Sequence, residues 1–276
     1  MSKGTLLGLL AETPLHPGAG QSADVVDLPV AREGATGLPQ IPDTGLKGAL
    51  RQWAKEKGED VNKLFGASDS GAGQLMISSA RLLCLPVRRL DGPYAWVTTP
   101  YLLERLRRDS ARCGCGLDVP HPQPAGEDLP ELLVKEEAGK TLFLEEFSFK
   151  TAEYEGFGNI QTAITALLGT DDDTNTRILD QLAIMSDKEF NWFAANALPV
   201  NARNKLDENK ISENLWYEEV IPPDALFYSV ILPRNEGARQ DCDAFLETLV
   251  KNKYLQIGGN ETVGQGWVIL RKCEDL

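Results

Sequence analysis

Two ionisable side chains near the start of the chain could move protons at neutral pH. His16, one of only two histidines, stands in Thr13-Pro-Leu-His-Pro-Gly-Ala-Gly20, where prolines and glycines predict an open, exposed loop. An imidazole with a pKa near ~6.5 can both give and take a proton. Asp27, further along the same irregular stretch, could accept a proton or hold a metal ion. Each has a structural alternative, namely a backbone anchor for His16 and an Asx turn for Asp27.

A glycine-rich segment near the other end of the chain could approach a phosphate closely. It runs Ile257-Gly-Gly-Asn-Glu-Thr-Val-Gly-Gln-Gly266, so its glycines are Gly258, Gly259, Gly264 and Gly266. Glycines allow a backbone to wrap a bound anion. The segment is not a P-loop, because Gln265 follows Gly264 where lysine and then serine or threonine would be required. The structural alternative is a tight connection between two strands.

A stripe of cations is predicted on one face of a helix over residues 44–57. Lys47, Arg51 and Lys55 recur every four residues, and Asp43 and Gly58 are placed to cap and to end this helix. Such a stripe can track a phosphate backbone, and the helix start can bind an anion. The alternative is an ordinary solvated helix face.

Composition alone argues against nucleic-acid binding. The 28 basic residues are outnumbered by 41 acidic ones, which gives a net charge of −13, whereas an RNA-binding protein usually has a basic face. Binding of RNA must therefore rest on local basic stripes. Five scattered cysteines favour reduced thiols. Neither a signal-peptide pattern nor an apolar run near the ~20 residues of a membrane helix occurs, so the expected location is the cytoplasm and no membrane contact is expected.

A third cluster, Cys113-Gly-Cys115 with His121, offers only three potential metal ligands at an unsuitable spacing, so zinc is not expected there.

The hydrophobic pattern predicts a strand–helix–strand unit at each end of the chain. The arrangement is typical of an α+β fold, a ferredoxin-like sandwich with helices on one face of a sheet. The predicted elements are strands over 4–12, 74–87, 225–233 and 266–272, with helices over 44–57 and 238–252.

The central region, residues 88–224, is expected to be inserted between these units. Within it, 100–135 is predicted to be loop-heavy, and 173–196 to be helical in two pieces, the second with a capping box at Ser186 and Glu189. Residues 197–221 are predicted to form a projecting hairpin.

Five segments in order resemble the RAMP superfamily of CRISPR proteins, and more closely the backbone subunit of type III-B (Cmr) complexes. They lie at both ends of the chain, and the 88–224 region is largely unmatched. The segments are the His16 loop, Val26-Asp27-Leu-Pro-Val-Ala-Arg32-Glu33, Gly37-Leu-Pro-Gln-Ile-Pro42, Leu46-Lys-Gly-Ala-Leu-Arg51 and the 257–266 glycine segment.

The resemblance implies a single RAMP domain over residues 1–276. Its modified ferredoxin-like (RNA-recognition-motif-like) palm would be built from about 1–87 and 225–276, with a finger region and a thumb hairpin at about 197–221 inserted. It implies guide (CRISPR) RNA, complementary target RNA, other Cmr subunits and further copies of the chain as partners. The copies would stack into a helical filament, so that each contributes only part of the positive charge. The thumb would wedge into the guide–target duplex.

The same resemblance implies site residues. Asp27 would be the cleavage residue of an endoribonuclease, with a divalent metal ion, Mg²⁺ or Mn²⁺, often required at Asp27. The reaction would be attack by the 2′-hydroxyl that leaves a cyclic phosphate. His16 would be a proton donor or phosphate contact, and Glu219, or its neighbour Glu218, a supporting acid. Lys47 and Arg51 would hold guide phosphates, beside the glycines of 257–266.

Three alternatives stay open at this point. The chain could be a guide-binding scaffold that does not cut, or the equivalent type III-A backbone subunit. Outside RNA biology, it could be a small-molecule enzyme that uses the glycine-rich segment.

Overall fold

The computed structural model describes residues 3–22, 25–68, 71–124, 130–136 and 138–273. The first predicted strand, the helix after it and the last strand–helix–strand unit are confirmed. The strands are β1 Thr5–Ala11, β2 Gln40–Ile41, β3 Gly66–Ala67, β4 Gly71–Ala72, β5 Leu75–Ile77, β6 Ala80–Val87, β7 Ala95–Thr98, β8 Glu131–Val134, β9 Thr141–Leu144, β10 Phe147–Glu153, β11 Leu182–Ile184, β12 Val200–Leu206, β13 Ser212–Glu219, β14 Leu226–Pro233, β15 Tyr254–Gln256 and β16 Trp267–Lys272. The helices are α1 Asp43–Glu56, α2 Val61–Phe65, α3 Pro100–Cys113, α4 Phe157–Thr165, α5 Asp172–Leu179, α6 Asp187–Asn196 and α7 Arg239–Asn252.

The two ends of the chain interleave at the centre of a 12-stranded mixed sheet. Its order is β15-β16-β1-β14-β6-β7-β11-β8-β10-β9, with β2 beside β6 and β5 beside β14. The first strand, β1, pairs antiparallel with β14 on one side and with β16 on the other. Six of the seven residues of β1 are leucine, alanine or glycine and all six are buried, which suits a strand covered on both faces. Folding therefore brings the glycine segment before β16 beside the loop that follows β1.

Both faces of this sheet are covered, and α3 of the central region covers part of one of them. On one face, Gly8 of β1 lies so close to Leu167 that an added Cβ would be 2.1 Å from the carbonyl oxygen of Leu167. On the same face, the hydroxyl of Tyr228 donates to Asp109 of α3. Side chains alternate along a strand, and Leu6 to Leu10 are all buried, so the opposite face must be covered as well. The helices α1 and α7 contact strands of this sheet. They pack against each other through the rings of Trp53 and Phe245, which meet edge-to-face with their centroids 5.9 Å apart.

The expectation of a loop-heavy 100–135 region is wrong, because its first part is α3. Thr99 caps α3 by accepting from the Leu102 amide, Pro100 occupies the first turn, and Gly114, with φ +70°, ends the helix. Its apolar stripe, Leu102, Leu103 and Leu106, is fully buried. The strands β7 to β11 continue the sheet beyond β6, so the central region extends the sheet formed by the two ends of the chain.

Two other local predictions change in detail. Asp43 is the first residue of α1, and Pro42 before it is the N-cap residue. No side chain caps this helix, and the Asp43 amide donates to Ser79 Oγ. The predicted 74–87 strand is broken into β5 and β6, because the Ser78 hydroxyl accepts from the Val230 amide between them. The predicted two-piece helix over 173–196 is confirmed as α5 and α6, with β11 between, and Ser186 accepts from the Glu189 amide.

The predicted hairpin is confirmed as β12 and β13, which form a separate two-stranded sheet. Its outer part exposes apolar side chains: Leu206, Ile211 and Leu215 are each more than half exposed. In the part of the chain that the structure describes, no helix has the length and apolar character needed to cross a membrane.

Candidate active site

The segment that carries Asp27 is hydrogen-bonded onto the base of the hairpin. Leu28 adds a short parallel bridge to β13: its amide donates to the Tyr217 carbonyl (3.1 Å), and its carbonyl accepts from the Glu219 amide (3.0 Å). The Asp27 carboxylate is fixed through Oδ2, which accepts from the Tyr217 amide at 2.8 Å. Asp27 is only half-buried. One carboxylate oxygen is therefore held by backbone, while the group as a whole stays at the surface beside the hairpin.

Glu219 lies beneath this segment and fixes it. One oxygen accepts from Arg32 Nη2 at 2.7 Å, and the other accepts from the Val30 amide at 3.0 Å. Arg32 also donates to the carbonyls of Gly37 and Ala194. Glu219 is buried, and both of its oxygens are used within the protein. The group therefore ties the Asp27 segment to the hairpin and does not face solvent.

His16 contacts the backbone of Glu219, whose side chain binds Val30 and Arg32. Its Nδ1 is 2.8 Å from the Glu219 carbonyl oxygen, and since a carbonyl can only accept, Nδ1 is assigned the proton. The ring is buried, so the expected exposure of this histidine is wrong. The reason is the packing of glycines around it: an added Cβ on Gly18 would be 3.1 Å from Nε2, and one on Gly259 would be 3.3 Å from Cδ2.

The glycine segment holds the His16 loop through backbone hydrogen bonds. The Gly259 amide donates to the His16 carbonyl, and the Gly266 amide donates to the Pro14 carbonyl, each at 2.9 Å. Gly258 has φ +92°, and a Cβ there would be 2.7 Å from the His16 carbonyl oxygen. Gly264 lies in an exposed turn with nothing within 4 Å of an added Cβ. The glycine segment therefore packs closely against the backbone of the His16 loop, which accounts for its glycines. Contact of these glycines with RNA stays a prediction.

Glu218 joins three elements that sequence reasoning did not connect. Its Oε1 accepts from Arg203 of β12 at 3.3 Å and from the side-chain amide of Asn260, in the glycine segment. Glu218 is buried. Arg32, Arg203 and Asn260 were all missed as site residues. Arg32 and Asn260 lie inside the quoted motifs, which was the only available signal, and no local pattern singled out Arg203.

The predicted cation stripe is divided by the structure. Lys47 and Lys55 are exposed, whereas Arg51 is half-buried and donates to the Gly66 carbonyl (2.5 Å) and to Asn62 Oδ1 (3.1 Å). Within the described residues, no hydrogen bond joins Lys47 or Arg51 to the Asp27 site. The structure thus brings together Asp27, His16, Glu219 and the glycine segment.

The donor groups at this site do not form a closed metal cage. Among the described residues, no group of three or more histidine, cysteine, aspartate or glutamate side chains is arranged to hold a metal ion. Glu219 is fully used in hydrogen bonds, and Glu218 already pairs with Arg203. Asp27 is the carboxylate left at the surface. Mg²⁺ is commonly held by one or two carboxylates together with substrate phosphates, and a single surface carboxylate fits that open arrangement.

Comparison with known proteins identifies the family of this chain. Residues 9–269 match the family described as the RAMP superfamily. The chain belongs to the RAMP superfamily. The resemblance inferred from the five sequence segments is therefore confirmed, and the match covers the central region that those segments left out.

Two curated relatives of this RAMP protein are similar over almost their whole lengths. One is the CRISPR system Cmr endoribonuclease Cmr4 of Pyrococcus furiosus, 36% identical over 96% of this chain and 94% of the relative. The other is the CRISPR system CMR subunit Cmr4 of Saccharolobus solfataricus, 27% identical over 96% and 95%. The crystal structure of oligomeric Cmr4 from P. furiosus superposes with a TM-score of 0.78 and 31% identity, covering 99% of both chains.

Proposed function

We propose that this chain is the guide-RNA-binding backbone subunit of a type III-B CRISPR complex and cuts the target RNA paired with the guide. The observation that carries the proposal is the fixed position of Asp27, a surface carboxylate pinned by backbone beside the projecting hairpin. The P. furiosus relative, 36% identical, is named as a Cmr endoribonuclease, and that name supports type III-B over type III-A. The proposal places the chain in the cytoplasm.

The central sheet supports the ferredoxin-like palm. Taken in chain order, β1, β6, β14 and β16 occupy the spatial order β16-β1-β14-β6, with α1 after β1 and α7 after β14. A βαββαβ unit with this arrangement is the ferredoxin-like motif. Residues 88–224 then form the inserted fingers and the thumb, and the thumb is the β12–β13 hairpin. Its exposed apolar side chains suit a wedge between stacked bases.

The cleavage step follows from the chemistry of RNA. The Asp27 carboxylate accepts the proton of a target 2′-hydroxyl, whose oxygen then attacks the adjacent phosphorus. The P–O5′ bond breaks, leaving a 2′,3′-cyclic phosphate on one product. The other product leaves with a 5′-hydroxyl after O5′ takes a proton from water.

Burial of His16 supports a positioning role for it, rather than the predicted proton donation. Through Nδ1 it fixes the Glu219 backbone, and Glu219 fixes the Asp27 segment through Val30 and Arg32.

A divalent ion, Mg²⁺ or Mn²⁺, would be held by Asp27 together with RNA phosphate oxygens. When bound, it would neutralise charge that develops on the phosphate during cleavage.

Guide RNA is the expected ligand of the palm. Lys47 is exposed on α1 and available for a phosphate, whereas Arg51 must release or share the Gly66 carbonyl to reach one. The net charge of −13 makes strong binding by one copy implausible. Binding along a row of copies, together with other Cmr subunits, spreads the requirement for positive charge, and the P. furiosus relative has been crystallised as an oligomer.

The test is to purify the assembly that forms around this chain and to ask what it carries and cuts. We expect copurified short RNA, and cleavage of a labelled RNA complementary to it at regularly spaced positions. A labelled RNA of the same length without complementarity is the control and should stay intact. Assemblies free of RNA at moderate salt would contradict the proposal and favour a small-molecule enzyme. Assemblies that hold guide RNA and bind target without cutting it would leave only the scaffold.

A further inference from the structure

An arginine-lined cleft lies between α3 and the sheet, outside the Asp27 site. Its volume is about 520 Å³, within the range of about 300–1,000 Å³ found for small-molecule sites. Arg81, Arg105 and Arg108 line it, and the rest of the lining is Glu33, Asp109, Tyr101, Gln40 and Ser79. None of the five motifs that identify the family accounts for three arginines at one place.

The charges within the cleft favour an anion. Two of the arginines already have carboxylate partners: Arg105 donates to both oxygens of Glu33 at 2.6 and 2.8 Å, and Arg81 pairs with Asp109. The third guanidinium, on Arg108, is 61% exposed, and its only recorded partner within the described residues is Glu104 at 3.6 Å. Surface pairs at such distances contribute little. A positive group is thus left available in a chain whose net charge is −13.

Arg105 is buried and held rigidly at the cleft. The residue is only 7% exposed, yet its Nε has no hydrogen-bond partner among the described residues. Leaving a buried donor unpaired costs about 1–3 kcal/mol, so such groups call for an explanation. The neighbouring guanidinium nitrogens of Arg105 bond to Glu33 and to the Leu82 carbonyl, so the side chain is held in place. Arg105 is therefore a fixed part of the cleft wall beside Arg81 and Arg108.

The position of the cleft points to RNA as its occupant. Ser79 accepts from the Asp43 amide at the start of α1, one turn before Lys47. At the other side, Glu33 directly follows Arg32, which holds Glu219 beneath the Asp27 segment. The cleft therefore lies between the helix expected to follow the guide and the segment expected to cut the target. Arginine binds phosphate oxygens with two parallel hydrogen bonds, and amide and hydroxyl groups such as those of Gln40 and Ser79 can bond to ribose or base edges.

We propose that this cleft binds one nucleotide of single-stranded RNA, with its phosphate on Arg108 and Arg81. The inference rests on the proposed function, and it adds arginine contacts that lie outside the five family motifs.

The test compares two neighbouring arginines of α3. Arg108 lines the cleft, whereas Arg107 is also exposed but does not, so Arg108→Ala and Arg107→Ala each remove one positive charge from the same helix turn. Binding of a fluorescein-labelled single-stranded RNA to the full chain is measured by anisotropy over a series of KCl concentrations. Arg108→Ala should weaken binding about three- to tenfold, as expected for a lost charge-assisted hydrogen bond. It should also reduce the slope of log affinity against log salt by about 0.7. Arg107→Ala should change neither quantity appreciably, and thermal melts should show that both variants fold.

Equal effects of the two substitutions would show general electrostatic attraction and overturn the proposal, as would no effect of either. Unchanged RNA affinity with failed assembly of the Arg108 variant would overturn it too, and would assign the cleft to an acidic segment of another subunit. Failure of the unchanged chain to bind RNA at low salt would overturn this inference, whereas the proposed function is tested by the RNA that copurifies with the assembly. Loss of binding in the Arg108 variant alone leaves the proposed function intact.

Discussion

The ion pair beneath the Asp27 segment should control both stability and cleavage. Replacing Glu219 with alanine removes the partner of Arg32 and the acceptor for the Val30 amide. The side chain of Glu219 is 10% exposed and that of Arg32 is 25% exposed, so this pair is shielded more than a surface pair.

The magnitude follows from what each group loses. Breaking a buried pair by removing one partner costs about 3–5 kcal/mol. Arg32 keeps its bonds to two carbonyls and partial access to water, which lowers that figure, while the unpaired Val30 amide adds to it. We expect Glu219→Ala to lower the free energy of unfolding by about 3 kcal/mol. For a chain of this size, the melting temperature should fall by about 6–12 °C.

The assay is urea unfolding followed by tryptophan fluorescence, with Glu213→Ala as the matched control. Glu213 lies on the same strand, β13, and pairs with Lys205 at the exposed end of the hairpin, where both side chains are about half exposed or more. Loss of that pair should cost less than about 1 kcal/mol. Equal destabilisation by the two substitutions would refute the reasoning, because it would show that Glu219 is no better shielded than a surface carboxylate. In the assembled complex, Glu219→Ala should also slow target cleavage while guide RNA stays bound.

The other predictions concern the glycine segment and the thiols. Gly258→Ala should lower the free energy of unfolding by at least about 2 kcal/mol, because φ is positive there and the new Cβ would be 2.7 Å from the His16 carbonyl oxygen. Gly264→Ala should lower it by only about 1 kcal/mol, because only the positive φ is unfavourable there. Urea unfolding of both variants checks this, and equal costs would contradict it. All five cysteines are buried thiols, and burial raises the pKa of Cys242 to about 11. Ellman's reagent at pH 8 should therefore find no fast-reacting thiol in the folded protein and five thiols after unfolding in guanidinium. A fast-reacting thiol in the folded protein would contradict this packing.

The parts of the fold predicted correctly were those with a strong local pattern. The leucine-rich run of β1, the helical spacing of Cys242, Phe245 and Leu246 in α7, and the polar turn around residues 207–210 each indicated its element directly. The start of α3 was missed because prolines, glycines and arginines around it obscured the spacing of its three leucines. Four of the strands β7 to β11 have only three or four residues, and only their pairing in the sheet distinguishes these from loops.

The site was only partly predictable for a different reason. Asp27, His16 and Glu219 were named through family resemblance, and the structure brings all three together. What each does depends on partners far away along the chain: Arg32 and Glu219 are separated by 187 residues, and His16 and Glu219 by 203. No local pattern reports such pairs. Burial of His16 follows from glycines at both ends of the sequence, so it became visible only once β1 and β16 were paired.

Cleavage by the assembled complex carrying Asp27→Asn tests the account most directly. Asparagine keeps an oxygen that can accept from the Tyr217 amide, so the segment should stay anchored while the carboxylate is lost. Asp172→Asn, at an exposed position of α5, removes the same charge elsewhere. We predict that the Asp27 variant assembles with guide RNA and binds labelled target RNA, yet cuts it at least about 100-fold more slowly. The Asp172 variant should cut normally and leave 2′,3′-cyclic phosphate ends. Unchanged cleavage by the assembled Asp27 variant would contradict the assignment of this carboxylate as the cutting group.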